Sequence, residues 1–197
     1  MNSLQSFYEH HYPKVIALLT QELDSRYTYH GLRHTQDVIE QCVQIGQALG
    51  CSEEDIDSLK IAALFHDLGF LNVRKGHEEE SANMFRASAD GVLALNFIEI
   101  ISSCILATTM PQNPKNKLEQ IICDADLDYL GREDFPAISL DLFNEMLACG
   151  ELDDQRKWDE IQVVFLDKHQ FHTAYNQERR NQQKQQHLLD IKKRINV

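Results

Sequence analysis

The chain has 197 residues, 43% of them apolar, with only four Pro and eight Gly, which suits one domain of long helices, alone or with a helical extension. Its 19 basic and 31 acidic side chains leave a formal charge of −12, which argues against nucleic acid or an anionic membrane as the main partner, because both call for a basic surface. No apolar run reaches the ~18 residues of a membrane span. Residues 1–22 alternate polar and apolar side chains, unlike a signal peptide. Cys42, Cys51, Cys104, Cys123 and Cys149 form no Cys-x-x-Cys pair, so reduced thiols and a cytoplasmic location are expected.

In chain order, residues 4–24 predict an amphipathic helix with Pro13 as a kink or a late start. Residues 26–33 form a loop rich in Tyr, Thr, His and Gly. A helix runs from His34 to Leu49, with Val38, Cys42, Ile45 and Leu49 on one face and His34 at its inner start. Ser52, followed by Glu53, Glu54 and Asp55, reads as an N-cap with an acidic first turn. The helix it opens carries Ile56, Leu59 and Ala63 into His66-Asp67, and Gly69 is expected to stop it. After a loop at 70–76, helices are predicted over 77–89 and 93–108. Met110-Pro111-Gln112-Asn113-Pro114 is a break that no helix continues through. A helix over 116–130 carries Asp124 and Asp126. Asp134-Phe135-Pro136 opens another, which ends at Cys149 and Gly150. Two more cover 154–173 and 175–195, the last polar and Gln-rich, with a solvated outer face and Leu188 and Leu189 turned to the core. No strand pattern and no internal repeat is visible.

The chemistry gathers around residues 61–69, Ile-Ala-Ala-Leu-Phe-His-Asp-Leu-Gly, where an apolar run delivers an imidazole and a carboxylate to the end of a buried helix. Such groups cost free energy unless partnered, and a divalent cation is the simplest partner. Adjacent residues in a helix point about 100° apart, so His66 and Asp67 can share an ion only at a helix end. His34 upstream and one carboxylate of Asp124-Ala125-Asp126-Leu127-Asp128 downstream would complete a two-nitrogen, two-oxygen set. The three aspartates compete. Asp126 shares its face with Ile122 and Leu130 and so reads as inward, with Asp124 on the opposite side.

The ordered set Tyr29-His30-x-x-x-His34, Leu64-Phe65-His66-Asp67 and Asp124-Ala125-Asp126 resembles the HD-domain superfamily of metal-dependent phosphohydrolases, over about residues 27–131. The resemblance implies an all-α fold, a single-domain HD-type helical bundle with additional C-terminal helices. It also implies metal ligands at His34, His66, Asp67 and Asp126, the second Asp of Asp-x-Asp. The first motif, continuing to Asp37-Val38, is similar to the start of the cyclic-nucleotide phosphodiesterase signature, whose first histidine is the general acid. Carried over, that role falls on His30. His77 matches a further histidine of two-metal members. Their later histidine is missing, with Thr108 and Thr109 near its place. The Glu-Asp pair of guanosine-tetraphosphate hydrolases is missing too, Leu68-Gly69-Phe70-Leu71-Asn72 standing there.

The organisation expected is an N-terminal helix over 1–25 packing on the core, an HD-type metal-binding core over 26–150 and C-terminal helices over 151–197. The expected function is hydrolysis of a phosphomonoester or phosphodiester of a small molecule, a nucleotide or cyclic nucleotide first of all, with Mn, Mg, Fe, Co, Ni or Zn as the divalent metal cation. Asp67, His30 and His77 are the catalytic candidates. Arg33, Arg74, Lys75 and Arg132 are the cations that would meet the phosphate. Neither nucleic acid nor membrane is an expected partner, and the oligomeric state is open between a monomer and a homo-oligomer. The rival is a nucleotide-binding signalling module with a degenerate or structural metal site. In it the basic residues of the last helix (Arg179, Arg180, Lys184, Lys192, Lys193 and Arg194) would face a partner.

Overall fold

The computed structural model describes residues 3–196, and among them it holds nine α-helices, two short 3-10 turns and no strand. Residues 1, 2 and 197, at the ends of the first and last expected segments, lie outside the described residues. The helices are α1 (Ser3–Gln21), α2 (Leu32–Ala48), α3 (Glu53–Phe65), α4 (His77–Ala89), α5 (Leu95–Ala107), α6 (Lys117–Asp126), α7 (Phe135–Ala148), α8 (Gln155–Lys168) and α9 (Ala174–Ile195). The all-α class is as expected, and no helix is long and apolar enough to cross a membrane among the described residues.

Two compact units divide the chain. The first comprises residues up to 24 and 30–126, the second 25–29 and 127–197. The sequence suggests a core running to 150, whereas α7 falls with α8 and α9.

In the first unit α2 packs on α3 and α6, α3 on α1 and α5, and α4 on α5 and on the 3-10 turn Leu68–Leu71. Val38, Cys42 and Ile45 are fully buried, the inner face that their spacing announces. Ser52 closes a capping box with Asp55, each side chain accepting the other's backbone N–H at 3.1 Å. At the far end of α3, Phe65 meets Phe7 and Phe85 at ring distances of 6.4 and 5.5 Å. That aromatic packing holds down the helix end that carries His66. α1 starts before Pro13 and continues past it.

Three sequence expectations need correction here. Gly69 does not stop α3, which ends at Phe65 with His66 as its cap. Gly69 is instead a point of close approach. A Cβ there would collide with the His77 carbonyl, and its N–H donates to Ser81 Oγ at 2.8 Å. The helix expected over 116–130 breaks after Asp126, and Asp128–Gly131 forms a 3-10 turn. The break at Leu127 resets the phase, so Leu130 gives no information about the face of Asp126. α8 stops at Lys168, and Thr173 opens α9 by accepting the Asn176 N–H at 3.2 Å.

The second unit buries Tyr29, Leu127, Tyr129, Leu130, Phe135, Leu166, Phe171, Leu188 and Ile191 together. Tyr29 is fastened by its N–H, which donates to the fully buried Glu145 at 3.0 Å. α9 is less solvated than its composition suggests. Lys184 is buried and donates to the His169 carbonyl, Arg180 reaches Asp128, and Arg194 reaches Asp159 through two bonds of 2.8 and 2.7 Å. Leu188 is buried as expected, while Leu189 is exposed and Ile191 takes the inner place.

Candidate metal centre

Three elements of the first unit deliver the centre. His34 stands in the first turn of α2, His66 and Asp67 follow the end of α3, and Asp126 is the last residue of α6. His34 Nε2 lies 3.2 Å from His66 Nε2 and 3.4 Å from Asp67 Oδ2, and His66 Nε2 lies 3.2 Å from the same oxygen. One ligand atom from each of these three residues falls within 4.8 Å of the others. Asp126 Oδ1 adds contacts of 3.1 Å to His34 Nε2 and 3.7 Å to His66 Nε2. Ligands at ~2.0–2.2 Å from an ion sit ~3–3.5 Å from one another, so these separations suit one divalent cation.

The donor set also fits chemically. Asp67 Oδ2 is buried without a hydrogen bond of regular geometry. His66 Nδ1 lies 2.8 Å from the Ala63 carbonyl, so the neutral ring keeps its proton on Nδ1 and turns the Nε2 lone pair to the cluster. Burial alone would lower the His66 pKa. The Asp67 carboxylate beside it reverses that and raises it to about 9. Burial likewise would raise Asp67, and the adjacent imidazoles hold it well below the usual carboxylate range. Without a cation the cluster therefore stores a proton on His66 where the ion's charge would sit.

Asp67 divides its two oxygens. Oδ2 faces His34 and His66, and Oδ1 lies 3.4 Å from His77 Nε2. His77 Nδ1 is 3.0 Å from the Arg74 carbonyl. Burial pulls the His77 pKa down, but the bond and charge of Asp67 outweigh it and raise it. His30 stands beside the pair, its ring 6.0 Å from that of His34 and 6.1 Å from that of His77. In the sequence Phe70 is only a residue of the loop expected over 70–76. Its ring stacks on His30 at 4.4 Å and on His77 at 3.9 Å, and a lone Phe in a loop carries no sequence signal of such a role.

The aspartates part company. Asp124, expected outward or capping, has no solvent exposure, and neither does Asp128, whereas the Asp126 side chain is 15% exposed. The face argument is thus overturned, although Asp126 is the one that reaches His34 and His66. A carboxylate at a helix end beside an accessible site keeps some exposure, while its neighbours pack inward. Asp128 belongs to the second unit, where Oδ1 accepts from Asn176 at 3.0 Å and Arg180 Nε at 2.9 Å. Gln112, from the loop after α5, approaches Asp126 Oδ2 at 3.5 Å.

Of the expected phosphate cations, Arg74 is half-buried with its guanidinium carbon 5.9 Å from the Phe70 ring centre, and Arg33 and Lys75 are exposed. Arg132 lies in the second unit, 3.0 Å from Asp134 and 3.5 Å from Asp128. Thr108 turns its hydroxyl to the Ile105 carbonyl at 2.8 Å and is buried. Burial raises the pKa of Cys42, Cys104 and Cys123, which keeps these thiols protonated.

Residues 31–128 match the family model described as HD domain. Neither the comparison with curated proteins nor that with solved structures gives a match. HD domains bind divalent metals and are in general metal-dependent hydrolases. With the matched segment spanning α2 to the aspartate run and the histidine–aspartate cluster standing where that segment folds, this chain belongs to the HD domain family.

Proposed function

We propose that the chain is a metal-dependent phosphohydrolase of small-molecule phosphomonoesters or phosphodiesters, with a nucleotide or cyclic nucleotide as the foremost substrate class. The observation that carries this reading is the meeting of His34 Nε2, His66 Nε2, Asp67 Oδ2 and Asp126 Oδ1 within bonding reach of one cation. Mn, Mg, Fe, Co, Ni and Zn all suit such ligands. The bound cation would supply charge neutralisation at the phosphoryl oxygens and a lowered pKa for attacking water.

The residues then divide the work. Asp67 orients the attacking water, which releases its proton to bulk solvent as the new oxygen–phosphorus bond forms. The bond to the leaving oxygen breaks, and that oxygen receives a proton from His77 or His30. Arg74, Arg33 and Lys75 meet the remaining phosphate charge, an arrangement an acidic protein needs to hold an anion. The first-motif similarity to cyclic-nucleotide phosphodiesterases supports His30 as the donor.

The test is a panel of nucleotides and bis(p-nitrophenyl) phosphate with each metal in turn. Turnover by the wild-type protein that is lost in Asp67→Ala supports the reading. No turnover by metal-loaded wild type refutes it. The buried, inward hydroxyl of Thr108 near the place of an absent histidine favours a small ligand set. That observation keeps the non-catalytic nucleotide-binding module as the rival. Tight nucleotide binding by protein that elemental analysis shows to be metal-free would select the rival.

A further inference from the structure

Phe70 follows Asp67 by three residues, and its side chain stands among the catalytic candidates while holding no atom that could do chemistry. It is 5% exposed. Its ring meets the His30 ring at 4.4 Å with the planes 27° apart and the His77 ring at 3.9 Å with the planes 25° apart. The two imidazoles come from segments far apart in sequence, His30 from the turn before α2 and His77 from the first position of α4. They stand 6.1 Å from each other and are inclined by 51°. One benzene ring therefore supports two donors in different orientations.

An imidazole swings about two side-chain bonds, and a backbone contact fixes only part of that freedom. His77 gains one constraint from the Arg74 carbonyl at 3.0 Å. A near-parallel aromatic neighbour supplies another, since stacked rings resist both tilt and slide and are worth ~0.5–1.5 kcal/mol beyond burial. A branched aliphatic side chain would fill the volume without a flat face.

We propose that Phe70 is a positioning residue of the phosphohydrolase site, and that its ring holds His30 and His77 at the angles from which they serve the leaving oxygen. The inference rests on the phosphohydrolase reading above. Phe70 touches neither the substrate nor the ion in this scheme. It acts through the two imidazoles.

The experiment compares Phe70→Leu and Phe70→Tyr with wild type in three measurements on the full chain. Metal content by elemental analysis is expected to stay near one equivalent in all three, because His34, His66, Asp67 and Asp126 are unchanged. With bis(p-nitrophenyl) phosphate, Phe70→Leu is expected to lose ~10–100-fold in kcat, the scale of a catalytic group misplaced by about 1 Å. KM should move little, and Phe70→Tyr should restore most of the rate. In zinc-loaded protein, the ring protons of His30 and His77, assigned with His30→Gln and His77→Gln, should show ring-current shifts. Those shifts should vanish in Phe70→Leu and persist in Phe70→Tyr.

A kcat for Phe70→Leu within about twofold of wild type, with metal retained, would overturn the proposal. So would imidazole shifts that ignore the substitution. If wild type turns over no phosphate ester, the phosphohydrolase reading fails. The ring-current arm then still tests the premise that the Phe70 ring lies against both histidines.

Discussion

Gly69→Ala is expected to destabilise the protein by about 2–6 kcal/mol and to disturb His77 at a distance. A Cβ at position 69 would lie 2.9 Å from the His77 carbonyl carbon and from the Ser81 nitrogen, and nearer still to the His77 carbonyl oxygen. Non-bonded carbon atoms are at ease at ~3.5–4.0 Å, and all three neighbours are backbone or carbonyl atoms of α4 that cannot rotate away. The 3-10 turn and α4 must separate by nearly 1 Å, a distortion of the kind that costs ~1–3 kcal/mol in overpacked cores. The separation also stretches the 2.8 Å bond from the Gly69 N–H to Ser81 Oγ, and a buried N–H left unpaired costs ~1–3 kcal/mol. Urea unfolding of the metal-free protein measures the sum. Ser81→Ala, which removes the acceptor and adds no bulk, should lose only the second part. The same separation would carry His77 Nε2 beyond its 3.4 Å approach to Asp67 Oδ1, so kcat should fall even in protein that stays folded. A stability for Gly69→Ala within about 0.5 kcal/mol of wild type, the range of an ordinary surface change, would refute the close-approach account.

Further outcomes follow from the same geometry. Asp126→Asn should lose most of its metal and Asp124→Asn should retain it, as read by elemental analysis after dialysis. Full retention by Asp126→Asn would remove that residue from the ligand set. For the metal-free protein, His66 titrates at about 9 when folded against about 6.5 unfolded. Its stabilisation is complete below pH ~6.5 and is lost as pH rises through about 9. The depressed pKa of Asp67 has the opposite sign. Its share is present above the ordinary carboxylate range and is lost as pH falls through the folded value. Melting temperatures of chelator-treated protein should therefore decline between pH 6.5 and 9. Metal affinity should climb over the same interval as the competing proton leaves His66, and a flat melting profile would contradict the proton-storage picture. Asp128→Ala should destabilise by about 3–5 kcal/mol in denaturant titration, the cost of breaking a buried charge pair from one side, while leaving metal content unchanged.

Much of this molecule can be read from its residues, and the failures share a cause. Ser52 with Asp55, the buried stripe of Val38, Cys42 and Ile45, and the His66-Asp67 pair at a helix end follow from local rules that need no tertiary context. The inward reading of Asp126 leans on Ile122 and on Leu130, and Leu130 lies past a break that Asp-Ala-Asp-Leu-Asp, without Gly or Pro, does not announce. Helical phase is a dependable guide only while the helix continues. Gly69 reads as a stop signal because glycine so often ends helices, yet what demands it is a neighbour that arrives eight residues later. Phe70 and the inward cations of α9 were out of reach for the same reason. An aromatic in a loop and a lysine in a polar helix acquire their roles from partners that no sequence window contains.

The pairing of Asp128 with α9 bears on how far this chain could be shortened. Gly131 lies so close to the Arg180 backbone that a methyl group would not fit between them, and Asp128 Oδ1 accepts from Asn176 and Arg180. A chain stopped at Gly150 would keep Tyr29, Leu127, Tyr129, Leu130 and Phe135 but strip from them Leu166, Phe171, Leu188 and Ile191. It would also leave a carboxylate on that bared apolar surface with its main cation gone. The last helix, the most polar stretch by composition, is thus the one that trimming can least spare. Proteases acting on the native protein should find no stable fragment that ends between α7 and α9.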